Sequence, residues 1–170
     1  MPVNHLEQFV GERYEYRGYF LRRNVRVGRL SHGGFECELD VVAWHPETKH
    51  VVHVEPTMDA NNWAKRIQRY TKKLRAGRKY IPDLFPNVSV RPRDIEQIIL
   101  LGLGYGSNGH HKEIDGAEVK TSGQLIKEVL RDIRGINHHS QAIPEQFIIL
   151  RTLQLVSDHR MKLIEVLSSS

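Results

Sequence analysis

Two runs rich in β-branched and apolar residues, FECELDVVAW and HVVHVE, flank HPETK, a five-residue connection that contains a proline. A link this short joins neighbouring strands as a hairpin. This pair of strands constrains the chain more than any other feature. Side chains alternate along a strand, so residues two apart share a face. Glu36, Glu38 and Asp40 therefore fall on one face of the first strand, and Cys37, Leu39 and Val41 on the other. On the second strand Val52 and Val54 go one way, and His53, Glu55 and Thr57 the other. Seating both apolar faces against one core brings Asp40 and Glu55 together on the polar side. Facing carboxylates repel, and a divalent cation relieves that repulsion. The same pattern also fits an amphipathic hairpin with an acidic outer face.

The remaining chain reads as alternating helices and strands. HLEQFVGERYEYRGYF carries Leu6, Phe9, Val10 and Tyr14 at helical spacing, with Asn4 as cap and Gly18 as stop, which predicts a helix over 3–17. YFLRRNVRVG is a predicted strand, and SHGG a turn. From Asp59 to Gly77 the residues Trp63, Ile67, Tyr70 and Leu74 form a narrow apolar stripe on a predicted helix. A proline-bearing loop around YIPDLFPNVSVRP leads to IEQIILLGLGY, an apolar run typical of a buried strand. SNGHHKEIDGAEVKTSG reads as loop and GQLIKEVLRDIRGI as a helix with Ser122 as cap; PEQFIILRTLQLV reads as a helix that Pro144 could open, although the same run would also serve as a strand. Glu118-Val119-Lys120 spells Glu-x-Lys, but its flanks lack strand character, and it is read as loop.

Composition narrows the class. With 170 residues, 39% hydrophobic and 26% charged, the chain suits one α/β domain over 1–170. No apolar run approaches the roughly 18 residues of a membrane span, and no signal-peptide pattern opens the chain. A single cysteine, Cys37, leaves no internal disulfide and fits the cytoplasm. It also argues against structural zinc, because the pairs His110–His111 and His138–His139 sit in polar surroundings. The net charge is +5 and unevenly placed: eight Lys or Arg residues and no acid lie between Asp59 and Asp83. On the predicted helix Lys65, Arg66, Arg69, Lys72 and Lys73 oppose the apolar stripe, a face suited to phosphate contact, which Arg22, Arg23 and Arg26 would extend.

The order of these elements resembles the PD-(D/E)XK nuclease superfamily, the restriction-endonuclease-like fold. Glu7 stands eleven residues before Gly18–Tyr19, Glu38-Leu39-Asp40 matches the acid-x-Asp strand, and Glu55 follows Asp40 by fifteen residues. The resemblance covers roughly residues 5–75. It implies a central mixed β-sheet flanked by helices. It also implies Mg²⁺ (or Mn²⁺) held by Asp40, Glu55 and the carbonyl of Pro56, with Glu7 as an outer or second-metal ligand. Glu7 equally suits the first turn of a helix through the macrodipole. The implied activity is endonucleolytic hydrolysis of DNA phosphodiester bonds, and a homodimer is compatible with it.

The departure is Thr57, which stands where the family has a lysine. Three explanations are open. The lysine has migrated to Lys65 on the following helix; or Thr57 positions a water in a slow enzyme; or the site is inactive. In the last case the fold would bind nucleic acid or a protein partner. A structural protein of similar topology is the remaining alternative.

Overall fold

In a computed structural model, residues 4–58, 61–102, 111–136 and 140–168 are described. Contacts group the chain into two compact units, 1–122 and 123–170. The first unit carries the whole sheet. Its elements run α1 (His5–Tyr16), β1 (Phe20–Arg29), β2 (Phe35–Trp44), β3 (Val51–Thr57), α2 (Trp63–Leu84), β4 (Ile95–Leu101), β5 (Glu113–Ile114) and β6 (Ala117–Thr121). The strands lie in the order β1-β2-β3-β4-β6-β5. β1, β2 and β3 form an antiparallel meander, β4 joins β3 in parallel, β6 joins β4 in parallel, and β5 closes the edge antiparallel. The expected mixed sheet with flanking helices is therefore present.

The central hairpin forms as its sequence predicts. Val41 pairs with Val54 and Trp44 with Val51. Its faces do not divide into one polar and one apolar side. β3 is buried from Val51 to Pro56, because α2 packs on the face that carries His53 and Glu55 while Val52 and Val54 alternate onto the other. At Asp40 and Glu55 the acidic face is thus interior, under a helix, whereas Glu36 and Glu38 stay partly exposed. α1 packs against β1, β2 and β3, and the Asn4 side chain caps it by accepting the Leu6 N–H at 3.0 Å, as its sequence position suggests.

Helix α2 runs seven residues beyond the expected end at Gly77, through Pro82. An internal proline costs a helix about 3 kcal/mol. Here Ala76 and Ile81 are buried in a cluster with Leu39, Val42 and Val51, and Tyr80, Leu84 and Phe85 pack against it. That burial holds the last turn helical.

The segment read as loop around Glu118 is a second correction. Asp115 and Gly116 both take positive φ, 49° and 84°, as a tight two-residue hairpin turn requires. The turn joins β5 to β6, with Glu113 opposite Glu118. The Asp-Gly pair is the signal for it. Asp115 stays in the turn and binds Arg78 and Arg75, so the Glu-x-Lys text forms no second carboxylate site with it.

The second unit holds α3 (Ser122–Ile133), which begins at the last residue of the first unit, α4 (Ile148–Asp158) and α5 (Arg160–Ser168). Both helices expected here form, although α4 starts at Ile148 and not at Pro144. Ser122 is the first helical residue, and its hydroxyl donates to the Gly102 carbonyl at 3.0 Å. The buried Gln154 amide ties the unit's loop down by donating to Ile136 and Gln141 carbonyls and accepting the Ile143 N–H. No helix among the described residues is long and apolar enough to cross a membrane. His110, His138, His139 and the Asp59 start expected for α2 lie outside the described residues; His111 rests 4.8 Å from the Trp63 ring.

Candidate active site

The antiparallel pairing of β2 and β3 stops at Val41–Val54, so the next two residues, Asp40 and Glu55, stand opposite each other where the strands part. In place of a backbone rung, the Asp40 N–H donates to Glu55 Oε1 at 3.2 Å. Both carboxylates then point to one cation, the ammonium of Lys73 on α2. Lys73 Nζ donates to Asp40 Oδ1 at 2.6 Å and also to Glu55 Oε2. Glu55 is 1% exposed. A buried ion costs several kcal/mol in lost hydration, which is recovered only when its remaining hydrogen-bonding positions are filled. Glu55 has three hydrogen-bonding partners here, because Oε1 also faces His53 Nε2 at 2.8 Å.

These groups line a cavity of about 270 Å³ together with Asn4, Glu7, Pro56, Thr57, Met58, Arg69 and Tyr70. Four of the expected catalytic and metal-ligating residues, Glu7, Asp40, Glu55 and Pro56, therefore share one opening with Arg69 and Lys73 of the expected phosphate-binding face. Lys65 does not line it. Its side chain is exposed, its backbone N–H donates to the capping Asn62 side chain, and it sits two helical turns, about 12 Å along the axis, before Lys73. The lysine at the carboxylates is thus Lys73, a residue the sequence placed on the phosphate-binding face. Thr57 meets a different cation: its hydroxyl accepts from Arg69 Nη2 at 3.4 Å.

The basic face is narrower than the sequence suggested. Lys65, Arg69 and Lys72 are exposed. Arg66 is buried, its guanidinium 4.3 Å from the Trp63 ring centroid, and Lys73 is committed to the site. The helix's buried positions are 66, 70, 74, 76, 77 and 81, so Tyr70 and Leu74 of the expected stripe lie on its inner face, with Trp63 and Ile67 half-buried against them. Lys73 borders that face, three residues after Tyr70 and four before Gly77. A lysine so placed, with a glycine one turn on, was the available signal. On β1, Arg23 pairs with Glu15 and Arg26 with Glu38, while the Arg22 guanidinium lies 6.0 Å from the Phe85 ring centroid.

The electrostatics follow from this crowding. Burial, reinforced by the Glu55 charge, pushes Asp40 up to about 8 despite Lys73. Burial also opposes ionisation of Glu55, but the His53 hydrogen bond and the Lys73 ammonium outweigh it and hold that carboxyl below the usual range. Lys73 loses hydration, yet the two carboxylates more than compensate and keep it protonated. Burial raises Glu7 as well, against the Asn4 hydrogen bond. The pair is therefore one firmly ionised carboxylate and one that yields its proton near neutrality.

Asp40 and Glu55 supply hard oxygen donors directed at a single positive centre, with Glu7 in the same cavity. Such a set suits a hard cation, which needs only one or two carboxylates with waters completing its shell. Among the described residues no three His, Cys, Asp or Glu side chains cluster closely enough to form a metal cage unaided. No family model and no curated protein sequence matches this chain.

Proposed function

We propose that the chain is a metal-dependent nuclease with a restriction-endonuclease-like fold, hydrolysing DNA phosphodiester bonds. The observation that carries this reading is the Lys73 ammonium set across Asp40 and Glu55. It supplies, from a helix, the charge that Thr57 lacks at the strand position. The helix–meander–helix–parallel strand order supports the fold assignment.

In this reading Asp40, Glu55 and the Pro56 carbonyl would hold Mg²⁺ or Mn²⁺, and Glu7, which lines the same cavity, would serve as an outer or second-metal ligand. The ion, when bound, polarises a phosphoryl oxygen and lowers the pKa of an attacking water. The chain's own groups do the rest. Lys73 offers a compact cation to charge developing on the phosphate. Arg69, at the cavity wall beside Thr57, steadies a phosphate oxygen through its planar donor fork. Exposed Lys65 and Lys72 hold the flanking backbone, so affinity falls steeply with salt.

A second reading rests on the same contact. Lys73 already neutralises the carboxylate pair, so the fold tolerates it without a metal and could serve as a catalytically silent nucleic-acid or protein binder. Plasmid cleavage in Mg²⁺ and in Mn²⁺ separates the two. Turnover by the native chain, reduced about 100-fold or more in Lys73→Gln and in Asp40→Asn but near wild type in Lys65→Gln at saturating DNA, is the result expected of the nuclease. Salt-sensitive DNA binding with no cutting in either metal overturns it in favour of the second reading.

A further inference from the structure

Behind Glu55 lies a hydrogen-bonded chain that the cleavage chemistry does not touch. His53 is fully buried. Its Nε2 faces Glu55 Oε1 at 2.8 Å, and its Nδ1 faces Gln97 Nε2 at 2.9 Å. The Gln97 amide also donates to the Leu74 carbonyl at 2.9 Å and accepts from Arg78 Nη1 at 2.6 Å. Arg78 in turn donates to the Asp115 carbonyl at 3.0 Å and to its carboxylate.

Two of these partners fix the rest. A guanidinium can only donate and a backbone carbonyl can only accept, so the Gln97 oxygen must face Arg78 and its nitrogen must face Leu74 and His53. Both amide protons are then used, one on Leu74 and one on His53 Nδ1. That nitrogen is therefore bare, the ring proton sits on Nε2, and Nε2 donates to Glu55. A doubly protonated ring would set two donors against each other.

Helix α2 is built around this arrangement. A Cβ on Gly77 would lie 2.5 Å from His53 Nδ1 and 2.9 Å from Gln97 Nε2. Glycine inside a helix costs about 1 kcal/mol relative to alanine, and its absent side chain is what admits the imidazole.

We infer that His53 is a positioning residue for the active site: through the relay Arg78–Gln97–His53 it occupies Glu55 Oε1 and leaves Oε2 directed at Lys73 and the cation. The inference rests on the nuclease reading for its effect on cleavage, but the tautomer and the cation affinity can be measured without it. Orienting partners of this kind typically change metal affinity or activity 10–100-fold.

The test combines three measurements on the full chain. Nitrogen-15 NMR of the imidazole should report a neutral ring with its proton on Nε2 in the native chain. Calorimetric titration with Mn²⁺ should give affinity at least tenfold weaker for His53→Phe, with partial recovery in His53→Gln, whose amide N–H can reach Glu55. Plasmid cleavage should fall in the same order. Where His53→Phe does not fold, Arg78→Met substitutes for it: it frees the Gln97 amide from a partly exposed position and should lower both readouts in the same direction by a smaller factor. An Nδ1–H or imidazolium ring overturns the proposal, as does unchanged Mn²⁺ affinity in a folded His53→Phe or Arg78→Met chain. A native chain that binds Mn²⁺ through His53-dependent Glu55 yet cuts nothing defeats the nuclease reading alone.

Discussion

Asp40 and Glu55 are chemically similar groups in one site, but their surroundings set them apart. Glu55 takes two donors on Oε1 and the Lys73 ammonium on Oε2, whereas Asp40 has Lys73 and a share of solvent. Their opposite shifts give a pH signature. Burial, followed by the Glu55 charge, raises Asp40 to about 8, so between its ordinary value and that point the folded state holds a proton that the unfolded chain releases. Its stabilising contribution is complete in acid and is lost as pH rises through about 8. Asp40→Asn removes this term while keeping an acceptor for Lys73. Its melting temperature relative to the native chain should therefore rise between about pH 4 and pH 8 in thermal melts and level off above that. A difference independent of pH would mean that Asp40 is ionised throughout.

At the scale of elements, α2 joins the requirements of core, site and relay in one helix. Tyr70 and Leu74 pack on Ile99 and Leu101, Lys73 reaches the carboxylates, and Gly77 clears His53. Gly77→Ala improves the local helix propensity by about 1 kcal/mol but drives a methyl into two buried nitrogens. Overpacking of that kind costs typically 1–3 kcal/mol, so urea unfolding should show net destabilisation. A stabilised variant would mean that the ring and amide yield freely. Most of the elements were legible in the sequence: the hairpin from its short connection, α1 from its cap and stripe, β4 from its apolar run. The second hairpin was hidden because its strands are short and polar, leaving Asp115-Gly116 as the one strong cue. The extra turns of α2 were hidden because Pro82 argues against helix unless the burial of Ile81 is known.

For the molecule as a whole, the +5 charge sets the sign of the field and not its target. If Lys65 and Lys72 contact phosphates, changing both to Gln should shallow the slope of log affinity against log salt by about 2. Fluorescence anisotropy of a labelled duplex across a KCl series measures this, and an unchanged slope would move the contact surface elsewhere. The residues that make the site span the first unit, from Glu7 on α1 to Lys73 on α2. Only the folded sheet assembles them.

The sequence by itself determined that β2 and β3 adjoin and that Asp40 and Glu55 lie near each other, because strand alternation and a short connection are local constraints. It also placed a run of cations on the following helix. Only the tertiary structure decided which lysine meets the carboxylates, that their face is interior, and that His53, Gln97 and Arg78 stand behind Glu55. Those outcomes depend on the rotation of α2 about its own axis, which is set by packing against β2, β3 and β4. A change of one residue in that rotation turns each side chain by about 100°, enough to exchange Lys73 for a neighbour.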